Sequence, residues 1–176
     1  MEGTKELVTE RLRLRRYRME DAEALHEKLG ADPQMYKYSG WNPYASYEAA
    51  RESVRAFMDS YDDTRFYGWA IEYNGELAGT VGAYDYDPKK NSIEIGISIE
   101  RASWGRGFAS EALKCVIEYL TAHEGIGSVT AWCANENAGS IKAMLKAGMK
   151  ETHVIKNGLK AEGRVYDRHF FCYTAG

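Results

Sequence analysis

Trp104-Gly105-Arg106-Gly107 stands between a run that alternates like a strand and a run with helical periodicity. Glycines there permit left-handed φ and a close backbone approach, and a helix start presents unpaired N–H groups. Together they form an anion site, and a pyrophosphate is the natural ligand. Arg101 and Arg106 are placed to add charge-assisted hydrogen bonds. An ordinary tight turn is the alternative reading. The standard nucleotide loops do not match. There is no G-x-x-x-x-G-K-S/T, and G-x-G-x-x-G would need glycine where Ser110 stands.

Just upstream, period-two alternation puts Ile93, Ile95, Ile97 and Ile99 on one strand face and Glu94, Gly96 and Ser98 on the other. Glu94 is the candidate general base, acting through one water. A carboxylate that merely anchors the arginine-rich first strand is the alternative. Downstream, Asn135 to Met149 reads as a strand end, an N-cap and a short helix stopped by Gly148. The histidines pair with no serine or cysteine, which argues against a nucleophilic triad. His169, on the last strand, is the one histidine kept as a site candidate.

Elements that position these residues follow from the pattern. Leu7 to Arg15 alternates as a half-buried strand. Asp21 opens a short helix that stops at Gly30, and Gln34 to Tyr44 form an aromatic loop. Ser46 caps a helix with apolar positions at Ala50, Val54, Phe57, Met58 and Tyr61. Phe66–Tyr73 and Leu77–Tyr86 are strands joined by the hairpin signal Asn74-Gly75. Ser92–Glu100 is a strand, Gly107–Ala122 a helix, Ser128–Ala134 a strand and Ala138–Ala147 a helix. Two final strands, Met149–Lys156 and Arg164–Thr174, turn at Asn157-Gly158. The expected class is α+β, an α/β sandwich whose mostly antiparallel sheet of about seven strands is flanked by about four helices.

Composition narrows the function. With 176 residues and 44% hydrophobic content, the chain is expected to form one domain over 1–176. Lys+Arg number 23 against 26 Asp+Glu, a net charge of −3, which argues against a dedicated nucleic-acid binder. No apolar run reaches the roughly 18–20 residues that span a bilayer, so no membrane partner is expected. Met1 to Glu6 shows no secretory pattern, and Cys115, Cys133 and Cys172 have neither disulfide nor zinc spacing. A cytoplasmic protein without a bound metal is expected.

Taken in order, these motifs resemble the GNAT superfamily of acyl-CoA-dependent N-acetyltransferases, and within it the RimJ/RimL-like branch that acetylates ribosomal-protein N-termini. Thr9-Glu10-Arg11-Leu12-Arg13-Leu14-Arg15 with Glu20-Asp21-Ala22 resembles that branch's opening. Glu94-Ile95-Gly96, then Trp104 to Ala112, resembles its strand-to-helix acetyl-CoA motif. Asn137-x-x-Ser140, ending in Lys146-Ala147-Gly148-Met149, resembles its N-x-x-S…K-x-G-F segment. Ala102 departs from the superfamily's Gln or Arg, with Arg101 one residue away.

The resemblance implies acetyl-CoA as cosubstrate and direct attack by a primary amine. It implies that the backbone of Ile97, Ser98 and Ile99 pairs with pantetheine, beside a bulge that splays this strand from Ser128–Ala134. The Ile97 N–H then becomes an oxyanion donor. It implies pyrophosphate binding by Trp104, Gly105, Arg106, Gly107, Phe108, Ala109 and Ser110. Asn137 then contacts the outer cofactor, with Lys142 or Lys146 on the same helix. Many relatives carry a tyrosine proton donor where this chain has Met144; Ser140, one helical turn earlier on that face, is the candidate donor instead. The acceptor pocket falls to Tyr36, Tyr38, Trp41 and Tyr44, with Tyr73 or Tyr84 from the sheet. The expected acceptor is a protein N-terminal α-amine. A small amine (polyamine, amino acid, aminoglycoside) and a non-catalytic acyl-CoA-binding module are the alternatives, and a homodimer is left open.

Overall fold

A computed structural model of the chain describes residues 1–176. One sheet of eight strands holds it together: β1 (Leu7–Val8), β2 (Arg13–Arg15), β3 (Tyr67–Tyr73), β4 (Glu76–Asp87), β5 (Ser92–Ile99), β6 (Ser128–Ala134), β7 (Lys150–Ala161) and β8 (Arg164–Thr174). They lie in the order β1-β2-β3-β4-β5-β6-β8-β7. Every neighbouring pair is antiparallel except β5 and β6. The helices are α1 (Asp21–Leu25), α2 (Pro33–Tyr36), α3 (Tyr47–Ser60), α4 (Phe108–Glu118) and α5 (Ala138–Lys146). The α+β class and mostly antiparallel sheet expected from the pattern are what the chain forms.

The differences have local causes. Leu7 to Arg15 is a hairpin rather than one strand, with Leu7 opposite Leu14. Thr9 closes its turn, its hydroxyl accepting from the Leu12 N–H at 2.9 Å. The aromatic loop opens with the one-turn α2, which Asp32 caps and Pro33 pre-sets at its first position. Asn74-Gly75 makes its hairpin with φ of 51° and 82°. Asn157-Gly158 does not. The last hairpin turns at Glu162-Gly163, with φ of 50° and 72°, and β7 runs on to Ala161. Asn157 sits instead in an irregularity of β7, where its N–H donates to the Asp167 carboxylate at 2.9 Å.

Odd-numbered β5 residues join Trp69, Ile71, Val81, Val129 and Phe171 on the face covered by α4 and α5, against Phe108, Leu113, Ile117 and Met144. Each such fully buried apolar side chain contributes about 1.5–3 kcal/mol. On the opposite face α1 and α3 pack Ala22, Leu25, Ala50 and Val54 onto Ala70 and Leu77. Tyr44, expected in the acceptor pocket, belongs to this second core instead. That core contains no residue of β6, β7 or β8; there a smaller cluster forms from Ala134, Ala161 and Tyr166, with Tyr38 packed against it. No helix is long and apolar enough to cross a membrane.

Candidate active site

The parallel pair β5–β6 is brief. It runs from Ser92↔Ser128 to Glu94↔Thr130, and beyond Glu94 the strands separate. Each then leads to a helix start, through Trp104–Gly107 into α4 and through Asn135–Asn137 into α5. Backbone direction in the split follows from one bond. Glu100 N–H donates to Ala78 C=O at 2.8 Å, so antiparallel alternation turns the amides of Ser98 and Gly96 toward β4. The Ile97 N–H and C=O therefore face the split, where no strand meets them. The irregularity expected on β5 lies on its partner β4, between Tyr84 and Asp87, with Asp85 at φ 55°. The Ile99 C=O accepts the Trp104 indole N–H at 2.7 Å, which fastens the loop to the strand end.

The loop is built as an anion cradle. Gly105 and Gly107 take φ of 78° and 82°. None of the backbone amides from Gly105 to Ser110 donates to an acceptor in the chain; the first helical bond is Glu111 N–H to Gly107 C=O at 3.1 Å. A Cβ on Gly105 would meet nothing within 4 Å, so open space lies beside this residue. This arrangement suits a diphosphate. Ser110 Oγ turns back to Gly107 C=O at 3.0 Å. Arg106 lies 4.7 Å from the buried Phe108 ring and donates to the Tyr73 hydroxyl at 2.9 Å. Tyr73 thus supports the loop and stands on the face away from Glu94. Arg101 does not join the loop. It pairs with Asp32 at 3.0 Å.

Arg11 is the cation that pattern reading missed, because it looks like an ordinary strand arginine. Its guanidinium stacks 4.8 Å from Phe108 and pairs with Glu111 at 2.7 Å. Glu111 also accepts from the Thr9 hydroxyl at 2.6 Å and the Arg11 N–H at 2.9 Å. Burial opposes the charged Glu111 carboxylate, but these hydrogen bonds outweigh it and hold its pKa below the usual value. Its stabilisation is therefore present above the unfolded carboxylate pKa of about 4.3. It is lost as pH falls through the lower folded pKa. Glu111→Gln is expected to cost about 1–2 kcal/mol at neutral pH, with Arg11 partly screened by water. Urea unfolding should show the gap from the parent chain closing toward pH 3; a gap independent of pH would refute the charged role.

Where the split begins, Glu94 Oε1 accepts the Trp132 indole N–H at 2.9 Å. Tyr84 stands opposite Glu94 on β4 and leans over Gly96, where a Cβ would come within 2.7 Å of its hydroxyl. Burial, then the Glu94 carboxylate, pushes the Tyr84 phenol up to about 12, so it stays protonated at neutral pH. Across β6 and β8, Trp132 pairs with Phe170, and the Arg168 guanidinium carbon lies 4.0 Å from the Trp132 ring centroid. Tyr38 packs edge-on against Tyr166, their centroids 5.4 Å apart, and its hydroxyl donates to Glu136 C=O at 3.3 Å. Trp41 points to solvent, 71% exposed, and Tyr36 is half-buried. His169 lies on the other face, tied to Glu151 at 2.8 Å.

On α5, Asn137 is the N-cap, its Oδ1 accepting the Ser140 N–H at 3.2 Å. The Ser140 hydroxyl makes no hydrogen bond within the chain and is half-buried, one turn before the buried Met144. Lys142 and Lys146 are exposed.

The family profile described as acetyltransferase (GNAT) domain matches residues 11–150. The chain is 30% identical over 167 residues to the N-acetyltransferase p20 of Bacillus licheniformis, covering 94% of this chain and 93% of that one. In fold it is similar to a GNAT-family acetyltransferase from Bacillus anthracis, with a TM-score of 0.85 at 23% identity, over 97% of this chain and 98% of that one. It is similar also to RimL, a ribosomal L7/L12 alpha-N-protein acetyltransferase solved in complex with coenzyme A, with a TM-score of 0.86 at 18% identity over 96% of each. A split parallel pair beside an amide-lined loop, carried on this sheet, agrees with those matches: the chain belongs to the GNAT acetyltransferase family.

Proposed function

We propose that this acetyl-CoA-dependent N-acetyltransferase acts on the α-amine of a protein N-terminus, held in the cleft between Glu94 and the aromatic wall of β6 and β8. The observation that carries this reading is the split between β5 and β6, with Glu94 where it begins and the unpaired amides of Gly105 to Ser110 beyond its open end. A row of half-buried side chains, Trp132, Arg168 and Phe170, runs on from Glu94 across β6 and β8. Such a track suits an extended chain more than a compact amine.

In the proposed reaction, the amides of Gly105–Ser110 hold the pyrophosphate, with Trp104 and Arg106 bracing the loop. Ile97, Ser98 and Ile99 flank the pantetheine, and Ile97 offers its free N–H to the thioester oxygen. Glu94 takes the ammonium proton through a water. The freed amine attacks the carbonyl carbon, the C–S bond breaks, and the second proton shed by the nitrogen passes through the Ser140 hydroxyl, which gives its own proton to the departing thiolate as it takes that one up, leaving amide, thiol and neutral serine. Asn137 borders the outer cofactor. On the acceptor side Tyr38 meets the β8 wall through Tyr166, with Tyr36 and Trp41 flanking it along the same segment, Trp41 toward solvent.

Acetyl-CoA turnover against N-terminal peptides and against a panel of polyamines, amino acids and aminoglycosides tests the acceptor. Saturable turnover confined to small amines would replace the N-terminal reading. Coenzyme A binding without transfer to any amine would leave a binding module. Because a thiol has a pKa of about 8.5, the donor contributes modestly near neutrality. Ser140→Ala should therefore lower kcat by about tenfold or less, with the deficit shrinking as pH rises. A pH-independent deficit would assign Ser140 to packing.

A further inference from the structure

Arg168 is a cation without a counterion. Its side chain takes part in no ion pair or hydrogen bond, and its Nε is buried with no partner. What holds it is aromatic: its guanidinium carbon is 4.0 Å from the Trp132 ring centroid and 4.9 Å from that of Phe170. A buried N–H with no acceptor is costly unless something satisfies it. Two residues earlier on the same strand face, the Tyr166 hydroxyl is also buried and unpartnered, on a side chain only 3% exposed. Both orphans donate hydrogen bonds, so both call for an oxygen acceptor.

Trp132 fixes where that oxygen belongs. Its ring N–H holds Glu94 at 2.9 Å, while its face carries Arg168. One indole thus separates a carboxylate from a guanidinium that it does not neutralise. We propose that Arg168 is the specificity residue of the acceptor site, reading a carbonyl or carboxylate oxygen on the carbon next to the one bearing the reactive amine. The ammonium lies toward Glu94 and the oxygen toward Arg168, so the site recognises an α-amino carbonyl unit. A peptide N-terminus and a free amino acid share that unit; a polyamine lacks it. This assignment rests on the proposed amine acetylation and adds the chemical group that is read.

The test compares alaninamide, alanine and isopropylamine as acceptors for the parent enzyme, Arg168→Met and Arg168→Lys. Met keeps the length and the ring contacts but removes the donors. Arg168→Met should lose at least about tenfold in kcat/KM for alaninamide, mostly in KM. Isopropylamine turnover and the KM for acetyl-CoA should not move, and Arg168→Lys should recover part of the loss. A larger loss for alanine than for alaninamide would identify a free carboxylate as the group read. An equal fall for all three amines, or none, overturns the assignment. If the parent enzyme acetylates none of them, the acceptor reading fails separately. Calorimetric titration of the coenzyme A-loaded protein then decides: alaninamide binding that exceeds isopropylamine binding and needs Arg168 upholds the proposal, and its absence overturns it.

Discussion

Glu94→Gln is expected to lower kcat/KM by about a hundredfold or more at neutral pH, with coenzyme A affinity unchanged. The substitution isolates chemistry from structure. The side-chain carbonyl of glutamine can still accept the Trp132 N–H that the carboxylate accepts at 2.9 Å, so the indole keeps its place. Glu94→Ala would be a poorer test, because it leaves that half-buried N–H unpartnered and loosens the Arg168 stack. Glutamine cannot take a proton from an ammonium. The pH dependence of kcat/KM should therefore change along with its size, the limb that depends on this carboxylate being lost. An unchanged rate and pH profile in a folded preparation would remove Glu94 from the chemistry. A lower rate with an unchanged profile would leave it as an orienting group.

The two halves of the site differ in how far sequence reveals them, for a physical reason. The loop is legible because its determinants are local. Glycine at positive φ, a strand before and a helix after lie within consecutive residues, and Gly105 and Gly107 take the conformations their positions suggest. The caps at Ser46 and Asn137 are local in the same way. The acceptor side is not. Tyr84, Glu94, Trp132 and Arg168 come from β4, β5, β6 and β8, and they meet only because β8 inserts between β6 and β7. Alternation gives each residue a face but says nothing about strand order, so Arg168 reads as one more charge on a last strand.

Register errors have a similar origin. Asn157-Gly158 and Glu162-Gly163 both carry turn chemistry, and a local scan takes the first. The longer hairpin forms because Ala161 pairs with Arg164 across the second turn, while Asp167 satisfies the Asn157 amide from the neighbouring strand. Arg11 was hidden by the same limit. Its partner Glu111 is 100 residues away, and only the folded hairpin brings it beside the loop.

Gly105→Val should raise the dissociation constant for coenzyme A by about tenfold to a hundredfold, with a folded sheet retained. At φ 78° a β-branched residue is strained, at a cost of about 1–3 kcal/mol. No atom lies within 4 Å of its Cβ, so that strain is not compounded by a clash. The Cβ instead enters open space at the start of the loop whose amides, Gly105 to Ser110, make no bond within the chain. Strain alone could be blamed for a loss of affinity, and Gly75 separates the two causes. It has φ 82°, it too has nothing within 4 Å, and it sits in the turn between β3 and β4. Gly75→Val should lower the melting temperature about as much as Gly105→Val while leaving coenzyme A binding intact. Equal calorimetric affinities for both variants would mean that the loop amides are not the phosphate site. A loss confined to Gly105→Val would tie affinity to that loop, because the backbone penalty is the same at both positions.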